Sequence, residues 1–100
     1  MASIRAPPSH FTVLYFASAS SYAKKPSGGH DFLRAPILAT SLFDALETLY
    51  PGMKEKVLSS CLLNIDDEYI DLDEEAQKGE QGMMIQAGSI VVIVPPVSAG

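Results

Sequence analysis

The sequence predicts an α+β domain, a sheet with one main helix laid across one face. Three stretches carry that expectation. Residues 11–16 (FTVLYF) are β-branched and aromatic, the composition of a half-buried strand. Residues 42–50 place Leu42, Phe43, Leu46, Leu49 and Tyr50 at helical spacing just before Pro51-Gly52. Residues 90–94 (IVVIV) form an unbroken apolar strand near the end of the chain. Strands on both sides of a single amphipathic helix imply one layer of sheet and one of helix.

The remaining elements follow from local chemistry. The small, Ser-rich residues 17–23 are expected as a turn or short helix. Residues 24–29 (KKPSGG) make a loop in which Gly28 and Gly29 are free to take positive φ. Residues 31–38 read as a second strand, confined by Pro36 to an edge or a strand end. A hydroxyl of Thr40 or Ser41 is expected to cap the main helix, and Asp44 lies in its first turn, where the helix dipole favours negative charge. Proline cannot continue that helix, and Gly52 accepts the left-handed turn that ends it. Residues 53–58 add a further helical turn. Residues 60–65 (SCLLNI) and 68–72 (EYIDL) read as strands joined at Asp66-Asp67. Residues 73–82 (DEEAQKGEQG) read as a polar surface loop, and residues 83–87 lead to a Gly88-Ser89 turn.

The 100 residues amount to one domain, and a hydrophobic content of 47% is enough to bury a core. A net charge of −5 argues against nucleic acid, which would require a basic face. No apolar run approaches the roughly 20 residues of a membrane span. The opening MASIRAPPSH lacks the apolar stretch of a secretory signal and reads as a frayed leader, residues 1–9. Cys61 is the one cysteine, so no internal disulfide forms, which fits a reducing compartment such as the cytoplasm.

The interior offers no active site. Cys61 has no histidine or second cysteine beside it for zinc, and its neighbours Leu62 and Leu63 mark a buried, inert thiol. His10 and His30 stand at loop edges without an acid–base partner. Seven of the twelve acids fall within residues 66–75, yet a calcium loop starting at Asp71 would put Ala76 where glycine is required and Gly82 where the bidentate glutamate belongs. That stretch reads as a solvated turn, with docking to a basic partner as the other reading. Gly79 and Gly82 complete no phosphate-binding pattern.

The ending SIVVIVPPVSAG is where the chemistry points. An all-apolar strand has a second face that must meet another protein, be covered by a loop or stand exposed. Pro95 and Pro96 stiffen the exit. From Pro96 on, five residues reach about 17 Å when extended, a slim tail able to enter a deep cleft. Gly100 has no Cβ, so another protein's groups can approach its carboxyl carbon. That carboxylate, with a pKa of roughly 3.5, is ionised at pH 7 and must be activated before it reacts. ATP is the usual activator.

The chain resembles the sulfur-carrying small subunits of molybdopterin synthase, MoaD-like proteins of the ubiquitin-like β-grasp fold. The resemblance rests on FTVLYFASASSYAKK, TSLFDALETLYPGM, NIDDEYI and above all AGSIVVIVPPVSAG, and covers most of the domain. It implies a β-grasp domain over residues 10–95, with a mixed sheet, and an extended tail over residues 96–100. It implies that a ubiquitin-activating-type partner adenylates Gly100 at the expense of ATP and converts it to a thiocarboxylate. The charged tail then enters the large synthase subunit, where the active site lies, and donates sulfur to cyclic pyranopterin monophosphate. Besides the covalent sulfur on Gly100, no bound cofactor or metal is implied. Val97, Ser98 and Ala99 would thread the pocket, and Val91, Ile93, Pro95 and Pro96 would belong to the docking surface. The family implies a heterotetramer with two large subunits. One departure stands out: Ala99 occupies the position where the family pattern has glycine. The same activated carboxylate would serve a ubiquitin-like modifier joined to lysines or a sulfur carrier for another pathway such as tRNA thiolation, and a plain interaction module with a passive tail is the third reading.

Overall fold

The computed structural model describes residues 5–95. Strand β1 (His10–Tyr15) runs through the middle of the domain and buries Phe11, Val13 and Tyr15 on one face. Helix α1 (Ala17–Tyr22) follows, and the chain returns as β2 (His30–Arg34), antiparallel to β1. The expected strand over residues 31–38 is divided at Ala35-Pro36, a cis peptide bond: residues past it pair elsewhere, as β3 (Ile37–Leu38). Proline has no N–H to give a ladder, so the first strand stops there.

The main helix, α2 (Leu42–Leu49), buries Leu42 and Leu46. Leu49, expected on that same face, is instead about half exposed. Neither Thr40 nor Ser41 caps the helix by its side chain. A 3-10 turn over Ala39–Ser41 feeds directly into it, so Ser41 already has helical backbone angles rather than the extended ones a capping hydroxyl needs. Gly52 takes φ +91° as expected, and α3 (Met53–Lys56) begins immediately after. Glu47 ties the two helices together, its carboxylate accepting the Gly52 N–H at 2.8 Å and the Lys54 N–H at 2.9 Å.

A hairpin of β4 (Leu62–Ile65) and β5 (Glu68–Ile70) turns at Asp66-Asp67, both at positive φ. The stretch expected to be a loop, residues 73–82, is largely helical: α4 (Leu72–Lys78) continues into a 3-10 turn over Gly79–Gln81. Asp71 Oδ1 accepts the N–H groups of Asp73 and Glu74, and three acids occupy the first turn, where the dipole stabilises them. The buried Glu75 then reaches forward, bonding Lys78 Nζ at 2.8 Å and the Met83 N–H at 2.6 Å. This fixes the entry of β6 (Met84–Ile85), which pairs with β3 in a small separate ribbon.

The final strand, β7 (Ile90–Val94), lies at the centre of the five-stranded sheet, whose order is β2-β1-β7-β4-β5. It runs parallel to β1 and antiparallel to β4, so the sheet is mixed, and the β-grasp expectation holds. One hydrophobic cluster joins Phe11, Val13 and Tyr15 of β1, Leu63 and Ile65 of β4, and Val91 and Ile93 of β7 to α1, α2 and α3 through Ala19, Leu42, Leu46 and Met53. At its margin the Tyr15 and Tyr50 hydroxyls both donate to Asp31 Oδ2, and Lys25 Nζ lies 3.4 Å from Asp31 Oδ1. Among the described residues no helix is long and apolar enough to cross a membrane.

Candidate functional site

The site is the strand that leads to the chain's last residues. Both of its edges are paired, β1 in register from Thr12↔Ile90 to Tyr15↔Ile93, and β4 from Leu62↔Val94 to Ile65↔Val91. Its start is pinned as well. Asp66 Oδ1 accepts the Ile90 N–H at 2.9 Å, the Asp66 N–H donates to the Ile90 carbonyl at 2.9 Å, and the Thr12 N–H donates to the Ser89 carbonyl at 3.0 Å. Central strands with neighbours on both sides are the least able to shift, so the point where the chain leaves the sheet is fixed relative to the core.

Alternation along β7 decides which residues a partner can touch. Val91 and Ile93, expected at a docking surface, are 0% exposed and belong to the core. They point toward the helices, and the strand period of two sends their neighbours the other way. Pro95, also expected to meet a partner, is buried at the strand's end. The accessible face belongs to Ile90, Val92 and Val94, of which Ile90 is 46% exposed. Register places Leu14 beside Val92 and Leu62 beside Val94 on that face, with Tyr69 one strand further out, opposite Asn64. Leu62 and Tyr69 are 57% and 69% exposed. The result is an apolar strip across the helix-free side of the sheet. Its signal in the sequence was the unbroken IVVIV run, which announces two apolar faces without saying which is inside. Pro96, Val97, Ser98, Ala99 and Gly100 lie outside the described residues.

The other candidates carry no chemistry. The Cys61 thiol donates to the Val57 carbonyl at 3.2 Å, and burial pushes its pKa up, away from the thiolate a nucleophile requires. His10 Nδ1 donates to the Pro8 carbonyl at 2.9 Å, and His30 packs against the Phe32 ring at a centroid distance of 4.8 Å. Among the described residues no group of three or more His, Cys, Asp or Glu side chains is arranged to hold a metal ion. Three of the seven acids of residues 66–75 bond within the fold: Asp66 accepts from the Ile90 N–H, Asp71 caps α4, and Glu75 accepts from the Met83 N–H.

Comparison with known proteins gives the context for this geometry. No protein-family model matches the chain. The molybdopterin synthase sulfur carrier subunit of Phaeosphaeria nodorum is 50% identical over 100 residues, which is 100% of both chains. That of Emericella nidulans is 50% identical over 93 residues, covering 92% of this chain and 99% of the relative. Among solved structures, a putative molybdopterin converting factor subunit 1 from Pyrococcus furiosus superimposes with a TM-score of 0.65 at 18% identity, over 88% of this chain and 98% of that one. A chain of the complex of subunits 1 and 2 of the molybdopterin-converting factor from Helicobacter pylori gives 0.57 at 22% identity, over 91% of this chain and 99% of that one. At these identities the structures speak to the fold, and the two curated relatives to the family.

Proposed function

This chain belongs to the family of molybdopterin synthase sulfur carrier subunits, and from that premise we propose that Gly100 carries sulfur as a thiocarboxylate. The observation that supports this most is the 50% identity running through all 100 residues, tail included. The fold contributes a rigid base: a doubly paired central strand from which the tail departs.

The chemistry balances as follows. The Gly100 carboxylate attacks the α-phosphorus of ATP on an activating partner of ubiquitin-activating type, releasing pyrophosphate and leaving an acyl-adenylate. A sulfur nucleophile of hydrosulfide oxidation level adds to the acyl carbon and expels AMP, so the C–O bond to phosphate is exchanged for C–S. Delivered to cyclic pyranopterin monophosphate on the large subunit, the thiocarboxylate sulfur bonds to a side-chain carbon of the pterin as an oxygen substituent leaves that carbon, and water then attacks the acyl carbon of the resulting thioester, breaking its C–S bond so that the sulfur stays on the pterin and Gly100 returns to a carboxylate. The carrier supplies the acyl group and its reach; the large subunit supplies the active site. Residues 97–99 thread that subunit's pocket, and Ile90, Val92, Val94 and Leu62 form the apolar strip on which it sits. Assembly as a heterotetramer with two large subunits in the cytoplasm completes the reading.

The test is mass spectrometry of the intact chain after incubation with its activating enzyme, ATP and a sulfur donor. The expected result is exchange of one oxygen for sulfur, mapped to Gly100 and abolished by deleting that residue. An unmodified chain in the presence of a competent enzyme refutes the proposal. Denaturant-resistant conjugates to lysines of other proteins would move the chain to the modifier class instead.

A further inference from the structure

Strand β7 is apolar on both faces, so hydrophobic patterning alone leaves its register open. Threading the chain outward by one residue, toward its end, would put Ile90 where Val91 is buried and Val92 where Ile93 is buried. Those two core sites would still hold one isoleucine and one valine, with no volume gained or lost. An inward step is different. It brings Pro95 into the last site of a strand paired on both sides, where proline has no N–H to give. The outward step is the one the fold has to stop, and two devices at the start of the strand oppose it. The first is the connection 86–89, where the Gly88 N–H donates to the His10 carbonyl at 2.9 Å and Gly88 holds φ +88°, a position that an outward step hands to Ala87. The second is Asp66. Its N–H donates to the Ile90 carbonyl and its Oδ1 accepts the Ile90 N–H, each at 2.9 Å. Asp66 has already turned to φ +49°, and its side-chain oxygen takes the part that a carbonyl plays in a regular antiparallel pair.

We propose that Asp66 is a positioning residue: it locks the register of β7 and so sets how far Gly100 is carried from the body of the domain. The inference rests on the sulfur-carrier reading and adds to it the part of the chain that measures out the tail. Each residue of slip moves the strand's exit by about 3.3 Å, about a fifth of the roughly 17 Å that residues 96–100 span when extended. Acyl transfer demands finer placement than that. Its reacting atoms must lie about 3–3.5 Å apart, and a misplacement of about 1 Å costs on the order of 100-fold in rate. A carrier loaded at one active site and emptied at another meets this demand twice with the same tail. Asp66 acts from the turn between β4 and β5, at the opposite end of β7 from the tail, and both of its bonds must break before Ile90 can move on.

The experiment gives the strand slack and reads what still holds it. One glycine is inserted after Gly88 in the full-length chain, so that the connection can yield. Asp66→Ala and Asp66→Asn are made with and without the insertion, and Glu47→Gln, which loosens the α2–α3 junction, is the destabilised control. Cross-strand NOEs and saturation-transfer NMR of the β7 amides report register. Single-turnover sulfur transfer from the thiocarboxylated chain, at saturating large subunit, reports placement apart from affinity. Asp66→Ala alone should raise a shifted register about tenfold, into view by saturation transfer, the factor that one hydrogen bond to a carboxylate is worth. With the insertion, Asp66 and Asp66→Asn should both keep the native register, because either side-chain oxygen accepts the Ile90 N–H. Insertion with Asp66→Ala should populate two registers comparably, and transfer should fall at least about twofold, in proportion to the fraction out of register. Glu47→Gln should transfer at the wild-type rate. A single native register in the slack Asp66→Ala chain overturns the proposal. So does a shifted register in the slack chain that keeps Asp66, which would assign register to the turn alone, and so does a shifted register with undiminished transfer. If the insertion unfolds the chain, Asp66→Ala alone decides, and no shifted register there is a refutation. A wild-type chain that takes up no sulfur overturns the carrier reading, while the NMR comparison still decides whether Asp66 holds the strand.

Discussion

The hydroxyl of Tyr15, on a fully buried side chain, donates to Asp31 Oδ2 at 2.9 Å, joining the central strand β1 to the edge strand β2 through their side chains. Tyr50, at the end of α2, donates to the same oxygen, and its ring meets that of Tyr15 edge-on at 6.1 Å. One carboxylate thus gathers sheet and helix at the margin of the core.

That arrangement predicts an alkaline limit to stability. Burial, reinforced by the negative charge of Asp31, raises the Tyr15 phenol far above its ordinary value of 10.0, and the same causes push Tyr50 up to about 12. The unfolded chain loses these protons near pH 10 while the native state keeps them. Stability from this source is therefore complete below pH 10 and declines as pH rises beyond it, by up to about 1.4 kcal/mol per pH unit for the buried phenol. Urea melts between pH 8 and about pH 11.5 should show this slope, and Tyr15→Phe should reduce it, at a cost of about 1–3 kcal/mol at neutral pH for the lost bond to a charged acceptor.

Acid should act through Glu75. Its bond from Lys78, and next the Met83 N–H, hold the carboxyl below its ordinary 4.5. A depressed carboxyl stabilises the fold above its unfolded pKa and ceases to do so as pH falls through the native value. Glu75→Gln is expected to lower Tm at pH 7 and to make the decline below about pH 4.5 shallower, as read by thermal melts at stepped pH.

The two faces of β7 should separate stability from docking. Ile93→Ala opens a cavity in the core and should cost about 2–5 kcal/mol, with the chain remaining able to bind whenever it is folded. Ile90→Ser removes exposed apolar area and should leave Tm within a degree or two, about 0.5 kcal/mol, while weakening affinity for the large subunit. Paired melts and binding titrations check this; a stable Ile93→Ala would contradict the assigned orientation.

Two glycines should differ under the same substitution. Gly52 and Gly88 both have positive φ, +91° and +88°. A Cβ at Gly52 would collide with the Tyr22 hydroxyl, which itself donates to the Pro51 carbonyl at 2.8 Å, whereas a Cβ at Gly88 meets nothing. Gly88→Ala should cost about 1 kcal/mol for its backbone alone. Gly52→Ala should exceed that by about 1–2 kcal/mol, because the Tyr22 bond is lost as well. Chemical denaturation of the two variants measures the difference.

How much of this was legible beforehand depended on whether a local rule governed the segment. Residues 11–16, 42–50 and 90–94 were readable because periodicity and punctuation agreed. Helix α4 was missed because its residues are polar on nearly every side, and hydrophobic spacing says nothing about such a segment. The signal was there in another form: Asp71, then Glu74 three residues on, acids in the first turn, Lys78 in the last and Gly79 after it. Ser41 failed as a cap because a preceding 3-10 turn, a tertiary choice, had already set its backbone. Which side of β7 faces inward cannot be read from five apolar residues in a row, and Val91 and Ile93, expected at a docking surface, lie inside. The surface shared by Phe43, Leu62 and Tyr69 was illegible for a different reason: the three come from elements that only the fold brings together.

The placement of β7 between two partners has a mechanical side. An enzyme that seizes the final residues and draws on them pulls along the axis of that strand. The load falls on the β1 and β4 ladders together, as a shearing force on many bonds at once rather than an unzipping of one after another. A handle anchored in this way can be tugged into a pocket, turned over and let go through repeated cycles while the body it belongs to keeps its shape.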